Sequence, residues 1–395
     1  MNATRVAIVG GGVTGVGVAR DLARRGVDVT LLERGELAAG ASGAMHGLLH
    51  SGARYAVDDP ESARSCIAEN LTLREIAPDC IEDTGGLFVS LPDDPDEYLD
   101  TLTAACADCD IPTERLTSAE AREREPRLAA EIETALAVPD GAIDPVRLVA
   151  ATATDAERNG ATIHQQTTVT DLVVEDDTVV GVETADGTVR ADHVVNAAGA
   201  WADGVAELAG VDIEMRASRG AMCVTTDRYA DAVLNRCRPK SSGDIVVPSG
   251  GHSVLGTTDV TVDDPDEFPK AQWETDLLFE ELTPVVPALA DADTSHTYWG
   301  VRPLYEPQAT GESVGFSRDY SVLDHADCDG LAGLTSAVGG KLTTHRAMAE
   351  SVSDVVCARL GVERESDTAT APLPEPDAAM REYGLSGLLS RTRPE

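Results

Sequence analysis

Gly10, Gly12 and Gly15 stand in the spacing G-x-G-x-x-G, and Glu33 follows 18 residues after the last of them. Such a set can hold a dinucleotide. Gly10 permits a tight turn out of a strand, Gly12 lets the backbone approach a pyrophosphate, and Gly15 allows close packing of helix on sheet. The N-terminus of the following helix then faces the negative charge. Glu33 can accept hydrogen bonds from both ribose hydroxyls and would repel a 2′-phosphate. A glycine-rich turn without a ligand is the plain alternative. The context argues against it: the motif follows an apolar run (Arg5–Val9), precedes a stretch of helical spacing and carries its acidic residue at the end of the next apolar run.

Three further small-residue segments favour FAD over NAD. Gly40-Ala41-Ser42-Gly43 lies just after Glu33, placed for backbone and hydroxyl contacts to a longer cofactor. Asn196-Ala197-Ala198-Gly199-Ala200-Trp201 ends a predicted strand and can bring a small-residue turn against it. Gly339-Gly340-Lys341 opens a late helix whose N-terminus can face the flavin ring, where its partial positive charge would stabilise the anionic reduced form. Each segment alone reads equally well as packing glycine, but the set in this order does not suit NAD. The cofactor-binding candidates are Gly10, Gly12, Thr14 and Gly15 in the first turn, Glu33 and Arg34 after the second strand, and Ala41, Ser42, Gly47 and Leu49 beyond it. Val169 joins them, with Ala198, Gly199 and Trp201, and with Gly339, Gly340, Lys341, Leu342 and Thr343.

Longer motifs carry a resemblance. Residues 47–56 (GLLHSGARYA), 63–70 (ARSCIAEN), 255–259 (LGTTD), 300–304 (GVRPL) and 339–344 (GGKLTT) are similar to the FAD-dependent glycerol-3-phosphate dehydrogenase family. The likeness is nearest to the catalytic subunit of the anaerobic three-subunit form and spans about residues 3–376. It implies a D-amino-acid-oxidase-like flavoprotein fold. It also implies oxidation of sn-glycerol 3-phosphate to dihydroxyacetone phosphate, by hydride transfer from C2 to flavin N5, with electrons sent towards quinone. Electron-transfer subunits or a membrane quinone partner come with the resemblance. There are two departures. Ala44 stands where the family often carries a basic residue, and relatives continue past residue 376 with a further domain, cysteine-bearing in the anaerobic subunit, while this sequence runs to Glu395. The second departure bears on electron delivery and on the assembly of partner chains, not on flavin binding.

The matched positions make chemical sense. A phosphorylated alcohol needs cations near the flavin, and Arg54, Arg302 and Lys341 are the matched ones. Arginine suits bidentate phosphate binding, and lysine adds a point charge. A structural ion pair would account equally for Arg54 or Arg302 alone. Lys341 is more telling, because the chain has only three lysines (Lys240, Lys270 and Lys341) against 28 arginines. The C2 hydroxyl must also lose a proton, and His50 is the nearest matched imidazole; it serves either as the base or as a hydrogen-bond partner of flavin or substrate. Thr258 and Asp259 complete the catalytic candidates, while His46 and His345 read as structural. Two other readings stand beside this one: a related flavin oxidase or dehydrogenase of an amine or 2-hydroxy acid, and a flavin-holding paralogue without catalysis. Amine and hydroxy-acid substrates carry a carboxylate and need fewer cations.

The elements that must position these residues read as α/β. A strand at residues 5–9, a helix at 16–25 and a strand at 27–33 form one parallel unit. Helices are expected at about 61–76, 98–108, 144–159 and 343–360, several short strands over 160–195, and a buried strand over 331–338. Residues 211–325 are dominated by short strands and read as an inserted antiparallel sheet. The expected division is a discontinuous Rossmann-like FAD-binding domain (1–85, 145–205 and 326–365), a substrate or cap domain (86–144 and 206–325), and a linker with one short helix (366–395).

Composition narrows the partners. The 395 residues include 69 acidic and 31 basic side chains, a formal net charge of -38. That disfavours nucleic acid or an anionic membrane surface, whose phosphates need Lys and Arg. Hydrophobic residues at 42% leave ample material for a core. An acid-rich, lysine-poor chain suits concentrated salt, where at about 1 M the screening length is roughly 3 Å. Residues 1–4 lack a basic stretch followed by an apolar one, and the apolar run 6–19 is too short to span a bilayer. A cytoplasmic protein is expected, with a peripheral place at the inner face of the cell membrane if partner subunits hold it there. The eight cysteines are then expected as thiols. Cys106 and Cys109 form the one close pair; two buried or half-buried helix cysteines explain it better than a redox or metal site, and no metal is predicted.

Overall fold

The computed structural model describes residues 4–95, 97–305, 320–387 and 390. β1 (Arg5–Val9) runs through the glycine turn into α1 (Val13–Arg24), and the chain returns as β2 (Asp28–Leu32). β2 lies parallel to β1, with Val6 opposite Val29 and Ile8 opposite Leu31. Ala7 and Ile8 are fully buried, as a strand covered on both faces requires. On its other side β1 pairs in parallel with His193–Asn196. Thr162–His164 extends the sheet beyond β2, and Leu334–Gly339 then Tyr320–Asp324 extend it beyond His193–Asn196. Of these six strands only Tyr320–Asp324 runs antiparallel to its neighbour.

Helices α1, Pro145–Arg158 and His345–Leu360 cover one face of this sheet. Gly17 lets two of them approach: a Cβ there would sit 3.0 Å from the Cβ of Ala349. The other face carries a three-stranded antiparallel sheet (Val169–Glu175, Thr178–Thr184 and Gly187–Arg190), whose Leu172, Val179 and Val182 pack on Ala7, Val9 and Val194.

A second lobe is built on a nine-stranded sheet. The long strands Met215–Thr225 and Thr294–Tyr305 pair antiparallel there, as do Ile245–Ser249 and His252–Gly256. One pair departs from the antiparallel expectation: Val233–Arg236 runs parallel to Gly86–Ser90. That pair draws the 86–144 and 206–325 segments into one sheet.

Two expected boundaries need correction. Tyr320–Asp324 falls in the segment assigned to the cap, yet it pairs with Leu334–Gly339 in the first sheet, and Tyr320 and Val322 pack on the helix-side core. Residues 366–376, expected to be a linker, are tied to the first lobe. Arg20 donates to the carbonyls of Thr368 (3.3 Å) and Ala371 (2.6 Å), and the hydroxyls of Ser366 and Thr368 donate to Asp21. Arg20 and Asp21 are buried, and buried charges require partners. The short helix is Pro376–Glu382, and the Tyr383 hydroxyl after it donates to Glu157 at 2.7 Å. The rest of the expected C-terminal helical stretch, at 388–389 and 391–395, and residues 306–319 of the expected cap lie outside the described residues.

Among the described residues no helix is long and apolar enough to cross a membrane. Cys106, on the helix Tyr98–Asp108, and Cys109 just after it are both buried; burial pushes the Cys106 thiol up to about 12. Among the described residues, no group of three or more His, Cys, Asp and Glu side chains is placed to hold a metal ion.

Candidate cofactor and substrate site

The turn between β1 and α1 is built for close approach. Gly10 has φ +111°, and a Cβ there would lie 2.5 Å from the Ala197 carbonyl oxygen. A Cβ on Gly15 would lie 1.9 Å from the Gly10 carbonyl oxygen. Glycine alone fits at both. Gly12 is the N-cap of α1, and the first helical N–H, on Val13, donates to Ser42 Oγ at 2.9 Å. That bond ties the Ala41–Gly43 turn to the helix start. Glu33 accepts from the N–H groups of Gly11 (2.6 Å) and Gly35 (2.7 Å), which fixes its carboxylate at the end of β2.

A cleft of about 650 Å³ runs from this turn to the Gly339–Leu342 segment. Most of the cofactor candidates line it: Gly10, Gly12, Thr14, Glu33, Arg34, Ala41, Ser42, Val169, Ala198, Gly199, Trp201, Gly339, Gly340, Lys341 and Leu342. Gly15, Gly47, Leu49 and Thr343 do not. Gly15 lies beneath the Gly10 turn, Leu49 is fully buried in the core, and Gly47 lines a separate cavity of about 240 Å³ beside Cys80. Thr343 is fully buried, and its Oγ1 accepts the His50 N–H at 3.1 Å. Lys341 sits in the turn that precedes the helix His345–Leu360, so the helix begins later than the expected residue 343.

A second cavity, of about 700 Å³, opens beside the first and reaches the sheet of the second lobe. The two share Ala41, Met45, His46, His50, Tyr55, Arg302 and Leu304. His50 and Arg302 therefore stand where the cavities meet. His50 Nε2 lies 3.5 Å from the Tyr55 hydroxyl. Arg302 is held by Ser218 Oγ (3.3 Å), Thr257 Oγ1 (3.0 Å) and the Thr258 carbonyl (2.9 Å), with Asp259 at 3.9 Å. Gly220 leaves the room: a Cβ there would lie 2.6 Å from Arg302 Nη2. Lys341 Nζ donates to Ser62 Oγ at 2.9 Å and lies 4.8 Å from the centre of the Tyr55 ring.

Several sequence expectations change on this geometry. Arg54 lines the second cavity, but it also makes an ion pair with buried Asp244 at 2.6 Å, so it combines a cavity-lining place with a structural ion pair. Thr258 is fully buried; its Oγ1 donates to Glu274 (2.8 Å) and accepts the Ala221 N–H (2.8 Å), which leaves its carbonyl, not its hydroxyl, to face Arg302. Asp259 lines the cavity and accepts from Ser218. His46 lines both cavities, and its Nδ1 accepts the Leu48 N–H at 3.1 Å. His345 is buried beside the Leu342 carbonyl, and burial pulls it down to about 4. Arg216, Lys240 and Tyr55 also line the second cavity, and sequence reasoning missed them. The signal for Lys240 was available, since lysine is rare in this chain and Lys240 pairs with Asp58 (3.3 Å) at the cavity wall.

The residues fit FAD. A cradle that any Cβ would fill, a carboxylate fixed at the end of β2 and a long cleft lined by small residues suit a dinucleotide with a ring beyond it. The family comparison agrees: the pattern described as FAD dependent oxidoreductase matches residues 5–346. The chain belongs to this family. Its relatives include one chain of the anaerobic glycerol-3-phosphate dehydrogenase of Haloferax volcanii, 51% identical over 96% of this chain and 68% of its own length. The counterpart in the enzyme of the same name from Escherichia coli K12 is 43% identical, over 93% of this chain and 70% of its own length. Among solved structures, the glycerol-3-phosphate dehydrogenase of Bacillus halodurans, complexed with FAD, superposes with a TM-score of 0.69 at 24% identity, over 99% of this chain and 70% of that one. The glycine oxidase of Geobacillus kaustophilus superposes as well, with a TM-score of 0.71 at 24% identity, over 94% of this chain and 99% of that one. This FAD dependent oxidoreductase thus shares its fold with flavoproteins of differing substrates, and its own walls must decide what it oxidises.

Proposed function

We propose that this chain oxidises sn-glycerol 3-phosphate to dihydroxyacetone phosphate. The observation that carries the reading is the junction of the two cavities at His50 and Arg302, with Arg54, Arg216 and Lys240 lining the far side. In a chain of net charge -38, this cavity is lined by four cations against three carboxylates, Asp58, Asp59 and Asp259, a local excess of positive charge. The cations suit a small dianion, which arginine binds through paired N–H groups. Arg302, fixed by three oxygen partners, holds the phosphate in one orientation. The His50 imidazole takes the proton of the C2 hydroxyl, and the Tyr55 ring packs edge-on against it at 5.2 Å. Thr343 holds the His50 backbone from behind. FAD, when bound in the adjoining cleft, supplies the two-electron acceptor. The relatives are named as subunits of an anaerobic enzyme, which supports electron-transfer subunits as partners. Quinone as the destination of the electrons, and a place at the inner face of the cell membrane through those partners, belong to the same proposal.

Anaerobic titration of the purified flavoprotein in high salt tests this. Glycerol 3-phosphate should bleach the flavin's visible band, and glycerol should not. Bleaching by an amino acid or a 2-hydroxy acid in its place would overturn the reading. Reduction by none of them would favour a flavin-holding protein without catalysis.

A further inference from the structure

Three residues from three separate stretches of chain meet over the cofactor cleft. Arg34 follows β2, Trp201 closes the turn after His193–Asn196, and Asp266 lies in the loop after the strand Val260–Thr261 of the second lobe. All three line the cleft. The Asp266 carboxylate takes a hydrogen bond on each oxygen, from Arg34 Nη2 at 3.0 Å and from Trp201 Nε1 at 2.8 Å. The Arg34 guanidinium stacks over the indole at 4.2 Å. On the indole's ring edge, Gly40 makes room: a Cβ there would lie 3.2 Å from Trp201 Cζ3. The second lobe thus reaches across to the first through one carboxylate.

We propose that Asp266 is the latch of the cofactor cleft, a positioning residue that slows FAD exchange by holding Arg34 and Trp201 closed over it. The proposal rests on FAD occupying this cleft and not on the identity of the substrate. The chemistry favours a latch over a permanent clamp. Arg34 and Asp266 are about half exposed, at 49% and 54%, so the pair can break into water at small cost. The Trp201 N–H bond to a carboxylate is charge-assisted and neutral on the donor side, so salt screens it less than the ion pair. A cofactor that must enter a cleft between two lobes needs this kind of opening edge.

The test uses holoprotein and no substrate. FAD release is followed by recovery of flavin fluorescence after dilution into a flavin trap, for wild type, Asp266→Ala, Asp266→Asn and Trp201→Phe. Loss of both bonds in Asp266→Ala should speed release about tenfold or more. Asp266→Asn keeps a carbonyl acceptor for the indole and loses the charge, so its rate should fall between. In the Trp201→Phe background Asp266→Ala and Asp266→Asn should release FAD at nearly the same rate, because the indole bond that separates them is gone. Because Asp266 is exposed, the variant should melt within a few degrees of wild type in the apo form. Release from Asp266→Ala within twofold of wild type would overturn the latch. So would equal acceleration by a charge-removing change at exposed Asp263, which lies in the same loop but does not line the cleft.

Discussion

Arg302 Nη2 donates to the Thr258 carbonyl at 2.9 Å, while Thr258 Oγ1 donates to Glu274 at 2.8 Å. The cation at the cavity junction is therefore aimed by a residue whose own side chain is locked into a buried ion pair, Arg219 with Glu274 at 2.9 Å. Replacing Arg302 by Ala should weaken phosphate-bearing ligands about ten- to hundredfold, the equivalent of one charge-assisted hydrogen bond worth about 1.5–3 kcal/mol. Affinity for glycerol 3-phosphate is read from perturbation of the flavin spectrum, with flavin content as the control. Unchanged affinity would remove Arg302 from the substrate site.

Thr258 is predicted to act through the fold and not through chemistry. Thr258→Val keeps the shape and deletes the hydroxyl, leaving the Ala221 N–H and one Glu274 oxygen without it. The expected loss is about 1–3 kcal/mol in denaturant unfolding. Thr258→Ser should restore most of it. A Thr258→Val protein as stable as wild type would contradict the assigned role.

Gly15→Ala should abolish flavin retention. The added methyl would have to share space with the Gly10 carbonyl oxygen, 1.9 Å away, so the β1–α1 turn must open. The ratio of flavin to protein absorbance after purification measures this; a fully loaded Gly15→Ala protein would be the contrary result.

Two buried histidines should make the protein sensitive to acid. His193 and His345 are each pulled from 6.5 down to about 4 by burial. In that interval the unfolded chain binds protons that the folded one refuses, so stability rises with pH across it and is lost as pH falls from about 6.5 through about 4. Unfolding midpoints at a series of pH values should show the slope, and His345→Gln should flatten it. An unchanged slope would place the acid sensitivity elsewhere.

Salt should raise the melting temperature steeply. The net charge of -38 repels itself over distances that salt screens, and many exposed ion pairs that salt weakens contribute little each. Melting followed from dilute buffer to molar salt should rise; a fall would mean that surface pairs outweigh the self-repulsion.

Much of this was legible in the chain itself. The glycine spacing, the apolar runs on either side and Glu33 determined a dinucleotide turn, because only local backbone geometry is at stake there. The antiparallel character of 211–325 was equally local, since alternation is written strand by strand. The parallel pairing of Val233–Arg236 with Gly86–Ser90 was not, because residues about 150 apart chose each other through packing. The edge strand Tyr320–Asp324 likewise reads as cap by position and belongs to the first sheet by pairing.

The site divides the same way. Residue type and motif singled out His50, Arg54, Arg302 and Lys341, and composition made the rare lysines informative. Tertiary structure alone decided that His50 and Arg302 share the seam of two cavities, that Thr258 turns its hydroxyl inward to Glu274, and that Asp266 spans to Arg34 and Trp201. The physical reason is that a hydrogen bond depends on direction as well as on partner. A sequence names the donors and acceptors, and only the folded backbone says which way each of them points.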